Sequence, residues 1–168
     1  MERRVRLQII ALSGVFAALV FAGTQLRVPT GIGYINLGDA VILVVSYLLG
    51  PFAFFASSIG SAIADLVAGY PIYILPTFVI KGLMGLTAGY IMSAASGKKI
   101  ITRLLAGLAA EAIMELGYFV FEISIYGIAA AAGSLVPNLI QAAGAIILGI
   151  PVTLLIKNRF YDKLKSDK

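Results

Sequence analysis

Residues 39–69 read DAVILVVSYLLGPFAFFASSIGSAIADLVAG, and the fold turns on how this run is divided. It is longer than the roughly 20 mostly apolar residues that one helix needs to cross the hydrocarbon. Gly50-Pro51 interrupts it, because Pro lacks the backbone donor a continuing helix requires. The run therefore predicts two spans, 39–50 and 52–69, the first short enough to be tilted or partly interfacial. Working outward, helical apolar runs follow at 6–24, 74–95, 102–124 and 137–156. Gly69-Tyr70-Pro71 closes the third run, Ser96-Gly97-Lys98-Lys99 makes a polar turn after the fourth, and Pro137 suits the first turn of the sixth. The expectation is an all-α, polytopic membrane protein with six transmembrane helices in one domain, 1–168.

Composition agrees. The chain is 60% hydrophobic and 12% charged, where a soluble domain is roughly half apolar and about a quarter charged. With no Cys and no His, disulfides, thiol nucleophiles, imidazole bases and the usual transition-metal ligands are absent together, so neither a metal nor a cofactor is expected. A formal charge of +5 does not point to nucleic acid here, since basic residues in a membrane protein first report orientation. Met1–Gly23 has the basic start of a signal peptide, but its apolar run is long and further spans follow. No GxxxxGK[ST] loop is present, so this polypeptide is not expected to hydrolyse ATP.

Eleven of the thirteen basic residues fall in three places: Arg3, Arg4 and Arg6; Lys98, Lys99 and Arg103; and Lys157, Arg159, Lys163, Lys165 and Lys168. Six spans put all three on one side, which the positive-inside rule makes cytoplasmic, with both termini there. The other side then carries the connections 24–38, 69–73 and 124–136. The first, TQLRVPTGIGYINLG, has the length and polarity of a lid or binding loop.

Ionisable groups inside a span cost several kcal/mol or more unless paired or facing water. Glu111, Glu115, Tyr118 and Glu122 are spaced as one helical stripe, Glu115 about 14 Å below the outer end of its span. Asp65, Lys81, Asn138 and Gln141 lie at similar depth, and Tyr34, Asn36 and Asp39 flank the end of the long loop. The candidate site is Asn36, Asp39, Asp65, Lys81, Glu115, Tyr118, Glu122, Asn138 and Gln141, with Lys81 and Glu115 foremost. Tyr70, Tyr73, Tyr118 and Tyr126 are candidate aromatic walls, or an interfacial belt. A structural ion pair of Lys81 with Glu115 or Asp65 is the plainer explanation. Such a pair uses one carboxylate, whereas the excess of acids suits a ligand with several donors, such as an aminopyrimidine, a protonated pyridine or another nitrogen heterocycle. On this reading Glu115→Ala abolishes uptake while leaving insertion intact.

Small residues recur at Gly14, Ala18 and Ala22, beside Ser13 and Ala17, and again at Gly60/Ala64 and Gly85/Gly89, where backbones can approach closely. The first-span seam is the candidate for docking a separate membrane partner.

The stretch from Gly33 to Gly85, with GYINLGDAVIL, LLGP, GSAIADL at 60–66, GYPIY and IKGL at 80–83, closely resembles the substrate-binding S component of energy-coupling factor (ECF) transporters. The likeness is nearest the riboflavin, hydroxymethylpyrimidine and pyridoxine branch. It covers essentially the whole chain and weakens after the fifth span. The resemblance implies a six-helix S-component fold in a prokaryotic plasma membrane, vitamin capture from outside, and a lid between spans one and two. It also implies docking of the first helix onto a transmembrane coupling subunit joined to two ATPase subunits. On that analogy Gly14, Ala18 and Ala22, or the parallel Ser13 and Ala17, match the family's docking motif. Hydroxymethylpyrimidine or pyridoxine is favoured as cargo, with a queuosine precursor or riboflavin as the alternative. A solitary proton-coupled carrier, suggested by Glu111 near the midplane, is the reading from another class.

Overall fold

A computed structural model of the chain describes residues 3–31, 34–94 and 99–156. Lys98 and the basic residues from Lys157 onward, with Ala95–Gly97 and Gly33, lie outside the described residues. The elements in order are α1 (Arg3–Gln25), β1 (Arg27–Pro29), β2 (Tyr34–Asn36), α2 (Gly38–Leu49), α3 (Ala53–Ala68), α4 (Ile74–Ala94), α5 (Ile100–Tyr126) and α6 (Ile128–Leu155), with 3-10 turns at Gly50–Phe52 and Pro71–Tyr73.

Five stretches are long and apolar enough to cross a membrane: Leu7–Gln25, Gly38–Ala68, Pro71–Ala94, Ile100–Tyr126 and Ile128–Leu155. The second contains both α2 and α3, and the chain doubles back inside it. Ser46 donates to the Gly85 carbonyl at 3.2 Å, Asp39 meets Lys81, and a Cβ on Gly89 would strike the Gly50 carbonyl, so α2 runs parallel to α4. Cβ atoms on Gly82 and Gly85 would instead meet Ser58 and Ser57, while Asp65 and Thr77 line one pocket nearer the other end, so α3 runs antiparallel to α4. The reversal occurs at Gly50, whose φ of 59° belongs to the left-handed region glycine enters freely, followed by Pro51 in the first turn of the 3-10 helix.

The short α2, with 12 residues spanning about 18 Å, is not interfacial. Ten of its residues are buried, and it packs among α1, α4 and α6, as a helix with apolar residues on every face must. The outer helices behave oppositely. Only 28% of the most apolar stretch of α5 is buried, and Leu105, Leu108, Leu116 and Val120 point outward. A helix of that hydropathy left so uncovered is one built to face lipid.

Two sequence expectations are corrected and one is extended. The connection 124–136 is helix, not loop: α5 continues to Tyr126, Gly127 (φ 81°) breaks it, and α6 starts at Ile128, leaving Pro137 in the helix interior. The alanine run 129–132 has the highest helix propensity available, and one glycine suffices to turn the chain. The all-α expectation omits a small antiparallel hairpin, Arg27–Pro29 paired with Tyr34–Asn36, inside the long first connection. Finally, Arg103, counted above with the loop cations, lies in α5 and is buried, donating to Tyr47 Oη (3.1 Å) and Thr153 Oγ1 (3.2 Å) with its guanidinium 4.3 Å from the Tyr47 ring centroid.

The small-residue seams divide by use. Gly60 closes on the Ala17 carbonyl of α1, and Gly85 and Gly89 close on α3 and the Gly50 turn, so these are spent on packing within the chain. Ser13 and Ala17 are buried, whereas Gly14, Ala18 and Ala22 are exposed on the far side of α1.

Candidate functional site

At the hairpin end of the bundle lies a pocket of about 580 Å³, counted to its open mouth. Nearly every element contributes a wall: Thr24 from α1, Thr30, Tyr34 and Asn36 from the hairpin region, Ser61 and Asp65 from α3. Tyr70 and Tyr73 come from the turn before α4, Thr77 and Lys81 from α4, Tyr118 and Glu122 from α5, and Ser134, Asn138 and Gln141 from α6.

Its floor is a hydrogen-bonded chain crossing four elements. Asp39, wholly buried in the first turn of α2, accepts from Lys81 Nζ at 2.5 Å and from Gln141 Nε2 at 2.5 Å. Gln141 Oε1 accepts from the Asn36 backbone N–H (2.7 Å) and from Asn36 Nδ2 (3.1 Å). Asn36 Oδ1 in turn accepts from the Gly38 N–H at 2.7 Å, which ties β2 to the start of α2. Burying a charge is costly unless it is paired and hydrogen-bonded, and this chain meets both conditions for Lys81 and Asp39. Lys81 therefore pairs with Asp39, not with the Glu115 or Asp65 of the sequence reading. Its ammonium also lies 5.4 Å from the Tyr118 ring centroid, while Tyr118 Oη and Thr77 Oγ1 are 2.8 Å apart.

A second group closes the far wall. Glu122 accepts from Tyr73 Oη at 3.2 Å and from Ser134 Oγ. Aromatic rings run from the mouth inward: Tyr34 and Tyr70 have centroids 5.5 Å apart, Tyr70 and Tyr73 6.2 Å, and Tyr73 and Tyr118 6.2 Å. Tyr126 stacks behind Tyr73 without lining the pocket. The third feature is a strap: Tyr34 on the hairpin donates its phenol to Asp65 Oδ1 at 2.5 Å, drawing β2 across to α3. Burial, and then Asp65 beside it, push the Tyr34 phenol well above its ordinary range, so it acts here as a donor.

Of the nine residues expected from sequence, Asn36, Asp65, Lys81, Tyr118, Glu122, Asn138 and Gln141 line this one pocket, and Asp39 stands directly behind Lys81 and Gln141. Glu115 does not line it. Both its carboxylate oxygens, and both of Glu111, are buried with no hydrogen-bond partner among the described residues. The expected set omits Thr24, Thr30, Ser61, Thr77 and Ser134. Two of these carried a signal: Ser61 and Thr77 precede Asp65 and Lys81 by four residues, which puts each pair on one helix face.

A family model described as "ECF-type riboflavin transporter, S component" matches residues 5–158. A protein of Pyrococcus woesei, described as "Uncharacterized protein in gap 3'region", is 33% identical over 138 residues, covering 80% of this chain and 90% of that one.

Proposed function

This chain belongs to the ECF-type riboflavin transporter S-component family, and from that premise we propose that it captures a vitamin or related nitrogen heterocycle from outside the cell. The cargo class is a small donor-bearing ring, hydroxymethylpyrimidine or pyridoxine. Release is driven through a transmembrane coupling subunit and two ATPase subunits. The observation that carries this reading is the convergence of Asp65, Lys81, Glu122 and Gln141, from four different helices, on one pocket beneath the hairpin. A ring entering there meets tyrosine faces around it and carboxylate or amide groups at its edge, the arrangement of a mostly preformed small-molecule site with a few convergent polar groups.

In this reading the chain crosses the plasma membrane of a prokaryotic cell six times, α2 and α3 counting separately, with both termini cytoplasmic and the hairpin outside. Docking onto the coupling subunit uses Gly14, Ala18 and Ala22, whose exposure on α1 leaves room for a second backbone to approach. Ser13 and Ala17 are buried within the bundle, Ala17 against Gly60 of α3.

Riboflavin is the second reading, favoured by the description of the matching family. Native mass spectrometry of the protein purified in mild detergent separates the cases: a co-purifying pyrimidine or pyridine supports the first and a flavin the second. Uptake in cells that lack any coupling ATPase, abolished by an uncoupler, would replace both with a solitary proton-coupled carrier.

A further inference from the structure

The polar groups of the pocket are not equally engaged. Lys81 and Gln141 are held by Asp39, Glu122 by Tyr73 and Ser134, Thr77 by Tyr118, and Thr24 donates to the Val20 carbonyl at 2.9 Å. Asp65 differs. It is 5% exposed, its Oδ1 accepts from Tyr34, and its Oδ2 is buried with no donor within 3.5 Å among the described residues, the Thr77 hydroxyl being the one other group close enough to interact with the carboxylate as a donor. Ser61, one turn earlier on the same face of α3 and 2% exposed, likewise has a buried Oγ without a partner there. Both residues line the pocket.

We infer that Asp65 and Ser61 form the edge that reads the ligand, Asp65 Oδ2 accepting an N–H donor of a planar nitrogen heterocycle and Ser61 meeting a neighbouring hydroxyl or ring nitrogen. The inference rests on the vitamin-capture reading and specifies its chemistry. Residues four apart on a helix have Cβ atoms about 6 Å apart, a separation that matches two substituents on one six-membered ring. A buried carboxylate oxygen is costly to leave without a donor, so the ligand that fits is one that supplies it. The tyrosines supply the flat walls such a ring needs, with Tyr34 and Tyr70 at the mouth and Tyr118 deeper.

The same carboxylate couples recognition to closure. Tyr34 holds Oδ1 from the hairpin while the ligand holds Oδ2, so one group of α3 is shared by strap and cargo. A donor on the ligand orients the Asp65 side chain for Tyr34, and Tyr34 orients it for the ligand. Lys81 and Glu122, already satisfied within the protein, shape the pocket and are not the groups that choose between ligands.

The test uses full-length protein in nanodiscs and three probes, hydroxymethylpyrimidine, pyridoxine and riboflavin, measured by calorimetry. Whichever binds is compared with an analogue in which its N–H donor is removed, by replacing the pyrimidine's amino group with hydrogen, replacing the pyridine nitrogen by C–H, or N3-methylation of the flavin. Against wild type the analogue is expected to bind about 30-fold more weakly, the worth of a hydrogen bond to a charged group. Against Asp65→Asn, ligand and analogue are expected to bind alike to within about threefold, because the charged acceptor is gone. Tyr34→Phe, which leaves Oδ2 untouched, is expected to preserve discrimination while speeding dissociation about tenfold, and Ser61→Ala to weaken binding several-fold. Equal discrimination by wild type and Asp65→Asn overturns the inference alone. If Asp65→Asn does not fold, loss of discrimination in Tyr34→Phe, or unchanged affinity in Ser61→Ala, overturns it instead. Failure of wild type to bind any of the three probes overturns the vitamin reading together with it.

Discussion

Glu122 and Glu111 stand on the same stripe of α5, three turns apart, and their surroundings could hardly differ more. Glu122 sits where α5 meets α6 and the turn before α4, and two hydroxyls, from Tyr73 and Ser134, donate to its two oxygens. Glu111 is equally buried, at 4% exposure, lies within electrostatic reach of Asp39, Lys81 and Glu115, and has no donor on either oxygen among the described residues. Glu115, one turn further along, shares that condition. One helix thus carries an engaged carboxylate at the pocket and two unengaged ones below it. The stripe positions a carboxyl; what the facing helices offer decides whether it is a working part of a site. A buried polar group gains only when its partners are supplied, and is a liability otherwise.

The strongest way to break this contrast is to turn an engaged carboxylate into an unengaged one. Lys81→Met does so at Asp39, which is wholly buried and would keep only its bond from Gln141. Breaking a buried pair from one side costs about 3–5 kcal/mol, so the expected outcome is loss of folded protein, read by size-exclusion after graded heating in detergent. The double change Asp39→Asn with Lys81→Met removes the stranded charge and is expected to recover most of that stability. A double variant no better than Lys81→Met would show that the ammonium supports the fold through something other than Asp39.

Next in size is Glu122→Ala, which takes a charged acceptor from two donors. The Ser134 hydroxyl keeps the Ala131 carbonyl and Tyr73 keeps its contact with Tyr126, so the loss of the two bonds to the carboxylate is expected to cost about 1–3 kcal/mol and to weaken ligand binding about tenfold, since Tyr73 forms part of the pocket wall. Glu122→Gln keeps one acceptor and should fall between this variant and wild type. Thermal midpoints and calorimetric affinities for the three proteins check that order, and equality of Glu122→Ala with wild type would remove the wall from the site.

Much of this was legible beforehand, and the reason is local chemistry. Gly50-Pro51 announces the division of 39–69 because a missing N–H and a left-handed glycine act on their immediate neighbours. The stripe on α5 is equally local, a matter of spacing. Partner identity is not. Asp39 and Lys81 are 42 residues apart and Asp39 and Gln141 are 102, so nothing in the sequence chooses Asp39 over Glu115 for the lysine. The start of α6 was obscured differently: Pro137 suits the first turn of a helix and drew the expected start to 137, but the alanines at 129–132 already hold a helix and the break from α5 is at Gly127. The hairpin at 27–36 is too short for a strand period to register in a Gly- and Pro-rich connection.

The contrast sharpens further at Glu111. Replacing it with Gln keeps the shape and removes a potential buried charge beside Asp39, a like-charged neighbour. An isolated buried charge is unfavourable and a neutral amide less so. Glu111→Gln is therefore expected to leave the thermal midpoint unchanged or raise it by a few degrees, with ligand affinity within about twofold of wild type. A marked loss of stability would mean that the carboxylate is engaged after all, through groups beyond the described residues.

The smallest effect is expected where the sequence pattern alone would place the largest. Glu115 shares the stripe with Tyr118 and Glu122, but those two line the pocket and Glu115 does not, and no described side chain donates to it. If engagement decides function, Glu115→Gln and Glu115→Ala should both leave affinity and whole-cell uptake within about threefold of wild type, measured beside Asp65→Asn as the variant expected to fail. The alanine form matters most. It removes the volume as well as the charge, so preserved uptake would separate Glu115 from the site on both counts. Abolished uptake with intact insertion would show instead that an unengaged carboxylate on α5 works during the transport cycle, and position on the stripe would then outweigh the partners seen around it.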